Sequence, residues 1–210
     1  MIKYLVGNWQ MIVHLTFQHI EITGLTILIA GVIAIPLGYF FANHQLVSRV
    51  VMPVLSLIYT IPSLAFFVLL IPIFGLGLIP ALVALVAYTL FVLVRNTIVG
   101  YQQVDGSIVE AARALGYTRW EVLWKFKTLY ALPTIISGLR IATTSTIGIA
   151  TIASYINAGG LGTMLFNGLN QNNYTEVVVG SIVIAIFAIL VNWGLEKLQT
   201  RVLSYVSGLN

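Results

Sequence analysis

Long apolar runs with almost no charge between them constrain this chain more than any other feature. Only 8% of its 210 residues are charged, whereas 59% are hydrophobic. A soluble domain carries roughly a quarter of its residues charged, so this composition excludes a fold whose whole surface faces water. A membrane-spanning helix needs about 20 apolar residues. We therefore predict an all-α, multi-pass membrane protein.

Five apolar runs predict five transmembrane helices. The predicted spans are residues 22–42, 50–74, 78–101, 132–155 and 177–198. Residues 1–21 are partly amphipathic, with Trp9 and His14 among the apolar side chains, and predict an interfacial helix rather than a sixth span. Residues 22–200 would then form the transmembrane domain, and residues 201–210 a cytoplasmic tail.

Lys and Arg are distributed unevenly among the connections, and this predicts the orientation of the chain. The connections at residues 75–77 and 156–176 contain no Lys or Arg. Basic residues lie near the other span ends: Arg49, Arg95, Arg113, Arg119, Lys125, Lys127, Lys197 and Arg201. Because basic loops remain cytoplasmic, we expect the N-terminus outside, and the 102–131 loop and the C-terminus inside. Arg140, early in span four, would extend back to the inner face.

Prolines interrupt the first two spans and predict bent helices. They are Pro36, Pro53, Pro62 and Pro72. Each lacks a backbone N–H donor, and inside a membrane the freed carbonyls need protein or a water-filled cavity nearby. The bends are therefore either packing kinks or part of a cavity wall. Span four is rich in Gly, Ala, Ser and Thr, which suits either close helix packing or a polar lining.

The first half of the 102–131 loop predicts a short helix. Ser107 and Glu110 are spaced as a capping box. Residues that recur at helical spacing follow: Ile108, Ala111, Ala112 and Leu115. Gly116 suits the left-handed position just past a helix end. Glu110 would then either cap its own helix or face a partner.

The second half of the loop predicts another short helix, joined to the first at Gly116. Thr118 and Glu121 are spaced as a second capping box. Glu121 and Lys125 are four residues apart, which favours an ion pair on one helix face. Two capped helices in a polar loop indicate a surface on which another protein docks.

Several functions are disfavoured by what the sequence lacks. It has no Gly-x-x-x-x-Gly-Lys-Ser/Thr segment, so we do not expect the chain itself to bind ATP. No acidic residue stands in the middle of a predicted span, which argues against a proton- or sodium-coupled carrier. There is no cysteine, no metal-binding cluster and no Ser/His/Asp set, so an intramembrane enzyme is disfavoured. The net charge of +4 fits membrane orientation rather than nucleic-acid binding.

Three segments carry a resemblance to a known family. The Glu110-Ala111-Ala112 triplet with the later Gly116, followed by Leu132-Pro133, resembles the Glu-Ala-Ala loop of permease subunits in binding-protein-dependent ABC importers. Residues 59–65, Tyr-Thr-Ile-Pro-Ser-Leu-Ala, resemble the osmoprotectant permeases for glycine betaine, carnitine and choline. Residues 158–162, Ala-Gly-Gly-Leu-Gly, resemble the outer loop of the same subfamily. The chain departs from the family at Leu129, where a first proline often stands.

The resemblance implies a type I ABC importer permease with cytoplasmic coupling helices, in the plasma membrane. It implies a second permease subunit, identical or related, two ATP-binding subunits that carry ATP and Mg, and an extracellular solute-binding protein. No cofactor is expected on this chain. The residues implied to dock on the ATPase are Glu110, Ala111, Ala112, Leu115 and Gly116.

The implied function is ATP-driven import of a small compatible solute. A permease for an amino acid such as methionine is an alternative, since those permeases also have five spans and a glycine-rich outer loop. An ATP-independent carrier or channel is the other. Aromatic and proline residues of the predicted path are Tyr59, Pro62, Phe66 and Tyr155, with Phe67 beside them. The rings would contact a quaternary ammonium by cation–π interaction, or would serve only packing and interface anchoring.

Overall fold

A computed structural model describes residues 2–208, which are helical without any strand among them. The helices are α1 (Ile2–Gly7), α2 (Trp9–Asn43), α3 (Gln45–Thr60), α4 (Ser63–Phe74), α5 (Leu78–Gln102), α6 (Gly106–Ala114), α7 (Arg119–Glu121), α8 (Thr128–Ala153), α9 (Gly162–Asn170) and α10 (Tyr174–Ser207). Among the described residues, four helical stretches are long and apolar enough to cross a membrane, and the bent pair α3 and α4 makes a fifth when the two helices are counted as one span. The predicted five-span, all-α architecture is confirmed.

The central helix of the bundle is α5, which packs against both α2 and α8. Its predicted bounds, 78–101, agree with the structure to within one residue. Leu85 and Tyr88 of α5 are buried in an apolar cluster with Phe67 of α4 and Ala150 of α8. The hydroxyl groups of Thr89 and Thr146 lie 3.0 Å apart between α5 and α8. Packing therefore accounts for part of the small-residue content of span four.

The first span is longer than predicted, because α2 runs without a break from Trp9 to Asn43. The prediction that residues 1–21 form a separate interfacial helix is wrong at its boundary, since only Ile2–Gly7 is separate. Gln18 and His19 lie within that predicted segment, and the side chains of both bond to a distant loop. Tertiary contacts thus satisfy polar groups that look interfacial in the sequence.

The second predicted span, residues 50–74, is two helices that meet at an angle of 97°. The break falls at Ile61 and Pro62, whereas the other three prolines lie inside helices. The hydroxyl group of Tyr88 donates to the carbonyl of Ile61 at 2.7 Å. That bond satisfies a carbonyl at the break that the helix does not use.

The fourth predicted span begins earlier than expected. α7 continues through a π-helical turn, Val122–Lys127, directly into α8. The expectation of a second short helix in the loop is therefore wrong, because its residues are the first turns of a long helix. Leu129 and Pro133 both lie inside α8, so the missing proline does not create a loop there.

The last third of the chain differs from the prediction in two places. The connection at residues 156–176, expected to be a loop, contains α9. α10 extends beyond the predicted span end at residue 198 and takes in most of the predicted tail. Residues 209–210 of that tail lie outside the described residues.

Candidate functional site

The N-cap of α6, the first helix of the charged loop, is not the predicted Ser107. Asp105 is the N-cap, and its carboxylate accepts the N–H of Ser107 at 2.9 Å. That bond lowers the pKa of Asp105 below its usual value. The predicted capping box of Ser107 and Glu110 is therefore wrong. Glu110 is exposed and is not needed as a cap.

The end of α6 is a Schellman turn at Gly116. Gly116 has φ +85°, the left-handed conformation that the sequence predicted. Its N–H donates to the carbonyl of Arg113 at 3.0 Å, and the N–H of Tyr117 donates to that of Ala112 at 3.2 Å. A side chain at residue 116 would meet nothing within 4 Å. Glycine is thus suited to the backbone conformation rather than required by lack of space.

The predicted second capping box is confirmed at the start of α7. The hydroxyl of Thr118 accepts the N–H of Glu121, and the Glu121 carboxylate accepts the N–H of Thr118 at 3.0 Å. Lys125 lies 3.0 Å from the other carboxylate oxygen of Glu121, as its spacing predicted. Residues 105–121, called here the α6–α7 element, are therefore a locally bonded unit.

The α6–α7 element and the π turn expose three large apolar side chains. The exposed fractions are 77% for Leu115, 71% for Trp120 and 65% for Trp124. Exposed apolar clusters in a polar segment mark contact surfaces for other proteins. Neither tryptophan is among the docking residues predicted from the sequence. Their i,i+4 spacing in a predicted helix was the available signal.

The five predicted docking residues do not all reach this surface. Glu110, Ala111, Leu115 and Gly116 are exposed. Ala112 is only 2% exposed and faces the interior. Its burial indicates a packing role rather than contact with a partner. The docking function of the exposed residues stays a prediction.

Two of the predicted path residues meet around a third aromatic ring. The ring centroids of Tyr59 and Tyr88 are 6.0 Å apart, and those of Phe66 and Tyr88 are 5.5 Å apart. Tyr59 also lies 5.0 Å from Phe91. Pro62 stands at the helix break between Tyr59 and Phe66. The ring of Tyr88, which is not among the predicted path residues, thus contacts both Tyr59 and Phe66.

The other aromatic residues named with the path lie elsewhere. Phe67 is fully buried in the apolar core, so it has no surface to offer a solute. Tyr155 is 59% exposed and pairs with Phe166 at 5.4 Å. The structure therefore groups Tyr59, Pro62 and Phe66, but not Tyr155, around Tyr88.

An open cavity of about 360 Å³, with several polar side chains in its wall, lies beside α8. It is lined by Ser137, Arg140, Ile141, Thr144, Ser145 and Asn192. Arg140 donates to Asn192 at 2.7 Å and to Glu196 at 3.0 Å, both on α10. The guanidinium of Arg140 thus links α8 to the C-terminal half of α10. Arg140 forms an ion pair with Glu196, and its extension toward the inner membrane face stays a prediction.

The glycine loop, residues 157–162, is bonded to the first long helix. The N–H of Gly160 donates to the side-chain oxygen of Gln18 at 3.0 Å, and that of Leu161 donates to Nδ1 of His19 at 3.3 Å. Nε2 of His19 lies 3.2 Å from the carbonyl of Ile147. His19 is fully buried, so both of its ring nitrogens are used structurally.

Comparison with known proteins agrees with this architecture. Residues 34–204 match the family described as "Binding-protein-dependent transport system inner membrane component". The chain is 36% identical to the osmoprotectant import permease protein OsmW of Salmonella typhimurium over 94% of both chains. It is also 36% identical to the carnitine transport permease protein OpuCB of Listeria monocytogenes, over 89% of this chain and 85% of that protein.

A solved structure shares the fold. It is an inward-facing form of the MetNI methionine ABC transporter, with a TM-score of 0.78 at 21% identity, covering 89% of this chain and 93% of that one. At that identity the likeness concerns the fold alone. The family match covers most of the chain, and the two permeases match it nearly end to end. The chain therefore belongs to the family of inner-membrane components of binding-protein-dependent transport systems.

Proposed function

We propose that this chain is the membrane-spanning subunit of an ATP-driven importer for a small compatible solute with a quaternary ammonium group. Glycine betaine, carnitine and choline are solutes of this class. Two permeases at 36% identity, named for osmoprotectant and carnitine transport, support this choice. The methionine transporter shares only 21% identity and supports no choice of solute.

The proposed complex contains two ATP-binding subunits, a second permease subunit and an extracellular solute-binding protein. ATP and Mg are held by the ATP-binding subunits. The distribution of Lys and Arg supports an outside N-terminus and a cytoplasmic α6–α7 element. On that side of the membrane the element can meet a cytoplasmic ATPase.

The single observation that carries the docking proposal is the exposed, self-capped α6–α7 element. Leu115 and Trp120 offer apolar side chains on a unit that is already folded, so docking requires little further ordering. Glu110 adds a charge at the edge of that surface. Burial of such side chains at the centre of an interface typically dominates the binding energy.

Continuity of the backbone supports a mechanism for coupling. α7 continues through the π turn into α8 as one helical stretch. Movement of the α6–α7 element by the ATPase would therefore be transmitted to α8 without an intervening loop. The cavity lined by Ser137 and Thr144 lies on α8, so the same movement would change its shape.

The aromatic cluster supports the choice of a quaternary ammonium solute. Tyr59 is 37% exposed, and Phe66 is partly exposed beside buried Tyr88. A cation over one such ring gains about 0.5–2 kcal/mol. Contacts of this size would guide a solute without trapping it. Tyr59→Ala should therefore slow the uptake of labelled betaine, whereas Tyr59→Phe, which keeps a ring, should transport it like wild type.

The test uses proteoliposomes that contain this chain, the ATPase and the binding protein, with labelled glycine betaine as the solute. Wild type should take up betaine only when ATP and the ATPase are present. Leu115→Asp should weaken ATPase binding by about 30-fold, the effect of losing a hot spot of about 2 kcal/mol. Its melting temperature should not change, because residue 115 is exposed.

Leu46→Asp is the matched control, since Leu46 is 78% exposed and lies outside the α6–α7 element. It should bind the ATPase like wild type. Betaine uptake without the ATPase would instead indicate a carrier or channel. Normal ATPase binding by Leu115→Asp would show that docking uses another surface.

A further inference from the structure

A small basic cavity, lined in part by Arg113 and Arg119 of the α6–α7 element, is separate from the apolar side chains proposed to dock on the ATPase. It measures about 200 Å³ and lies between the end of α2, α6 and the start of the α7–α8 stretch. Its lining consists of Tyr39, Asn43, Arg113, Arg119, Val122, Leu123 and Lys127. Three of these side chains are cationic and none is acidic. The cavity is therefore a concentrated positive site.

The three cations are not neutralised by the rest of the described chain. Within residues 2–208, no carboxylate lies within 4.0 Å of Arg113, Arg119 or Lys127, since the two ion pairs there involve Lys125 and Arg140. The end of α2 contributes only about half an elementary negative charge. A net positive charge remains to attract an anion.

The position of the cavity along α2 places it near the membrane surface. Tyr39 and Asn43 belong to the last turns of this 35-residue helix. At 1.5 Å per residue the helix is roughly 52 Å long, whereas the hydrocarbon core is about 30 Å thick. The ring of Tyr39 packs on that of Tyr101 at 5.0 Å, and tyrosine is enriched at the headgroup level. An end of α2 that extends past the hydrocarbon core beside paired tyrosines is consistent with a cavity at the depth of the lipid phosphates.

We propose that this cavity binds a phosphate group, supplied by the headgroup of an anionic phospholipid. The guanidinium groups of Arg113 and Arg119 can each hold two phosphate oxygens, and Lys127 adds a point charge. Basic pockets between membrane helices bind anionic headgroups in this way. Free inorganic phosphate has the same oxygen chemistry and is the other source to be distinguished.

Size argues against a protein segment as the occupant. A helix with its side chains is about 10 Å across, which does not fit a cavity of about 200 Å³. Val122 and Leu123, which also line it, are buried and belong to the π turn. An ATPase would instead contact the exposed apolar side chains of Leu115, Trp120 and Trp124.

The experiment measures lipid binding to the purified full-length chain in detergent by native mass spectrometry. Phosphatidylglycerol should bind and phosphatidylcholine should bind much more weakly. Arg119→Gln and Lys127→Gln should each lower the apparent affinity for phosphatidylglycerol about fivefold, as expected for one cation near a charged headgroup. The double variant should lose about 25-fold if the two contributions add. Arg119→Lys should bind phosphatidylglycerol more tightly than Arg119→Gln but more weakly than wild type, because lysine keeps the charge and loses the bidentate contact.

Arg49→Gln is the matched control, since Arg49 is an exposed cation on α3 that does not line the cavity. It should bind phosphatidylglycerol like wild type. Millimolar inorganic phosphate that displaces the lipid, and raises the melting temperature as much as the lipid does, would assign the same cavity to free phosphate. Equal binding of both lipids, or an equal loss in Arg49→Gln, would overturn the site. The site would also be overturned if the Arg119→Gln, Lys127→Gln double variant bound phosphatidylglycerol like wild type but bound the ATPase weakly.

Discussion

The two ends of α8 are built in opposite ways. Beyond its C-terminal end, the glycine loop is bonded to Gln18 and His19, about 140 residues away in sequence. Before its N-terminal end, the hydrogen bonds of the α6–α7 element join residues at most five positions apart. One end is held by the tertiary fold, and the other is stabilised by its own caps.

This difference separates an end fixed by long-range bonds from an end whose hydrogen bonds are local. Long-range buried bonds couple the glycine loop to the global stability of the bundle. Local caps keep the α6–α7 element folded even when its position changes. An element that transmits force from a partner needs the second kind of stability. Changes in the glycine loop should therefore affect folding, whereas changes in the α6–α7 element should affect partner binding.

The largest effect is expected for Gly162→Ala. A Cβ at this position would overlap the backbone carbonyl of Thr151, and the hydroxyl of Ser154 is also too close. Backbone atoms cannot rotate away, so we expect a loss of about 3 kcal/mol in unfolding free energy. The fall in melting temperature of the purified variant relative to wild type measures this loss of stability. Gly148→Ala is the control, because a Cβ there meets nothing within 4 Å. Equal stability of both variants would contradict the fixed-end interpretation.

A smaller loss is expected for His19→Leu. Leucine leaves the N–H of Leu161 and the carbonyl of Ile147 without their ring partners in a buried site. An unsatisfied buried polar group costs about 1–3 kcal/mol, so the variant should lose about 2 kcal/mol overall. His19→Asn should recover part of this, because its side-chain oxygen can accept the N–H of Leu161. Thermal unfolding that is unchanged in His19→Leu would show that these bonds contribute little.

The sequence predicts what depends on neighbouring residues and misses what depends on distant ones. The α5 bounds, the Thr118–Glu121 box and the conformation of Gly116 all follow from local spacing. His19 looks interfacial because its acceptor and donor partners are far along the chain. The same lack of long-range information hides the continuity of α2.

The other wrong predictions arise where several residues carry the same local signal, as the prolines and the N-cap residues do. Four prolines have similar neighbourhoods, and at Pro62 the hydroxyl of Tyr88 reaches the carbonyl of the preceding residue. Asp105 and Ser107 are both good N-caps, and spacing alone does not choose between them. Of the docking residues predicted from the sequence, Glu110 and Leu115 are exposed, whereas the burial of Ala112 becomes visible only in the packed structure.

The smallest effect concerns the pH dependence of the cap at Asp105. Its pKa is lowered because the carboxylate accepts the N–H of Ser107. A lowered pKa in the folded state means that the cap stabilises α6 fully above about pH 3.8, and this stabilisation is lost as pH falls below it. Hydrogen exchange of the peptide that spans residues 103–116 should therefore accelerate at acid pH relative to Asp105→Asn.

Asparagine makes the comparison selective, because it caps a helix equally well but does not titrate. Taking the ratio of the two proteins at each pH cancels the intrinsic pH dependence of exchange. The glycine loop should show no difference between the two proteins, since its bonds do not involve Asp105. If the acid-dependent acceleration spread to the glycine loop, the two ends of α8 would form one cooperative unit, and the distinction between a fixed and a locally stabilised end would fail.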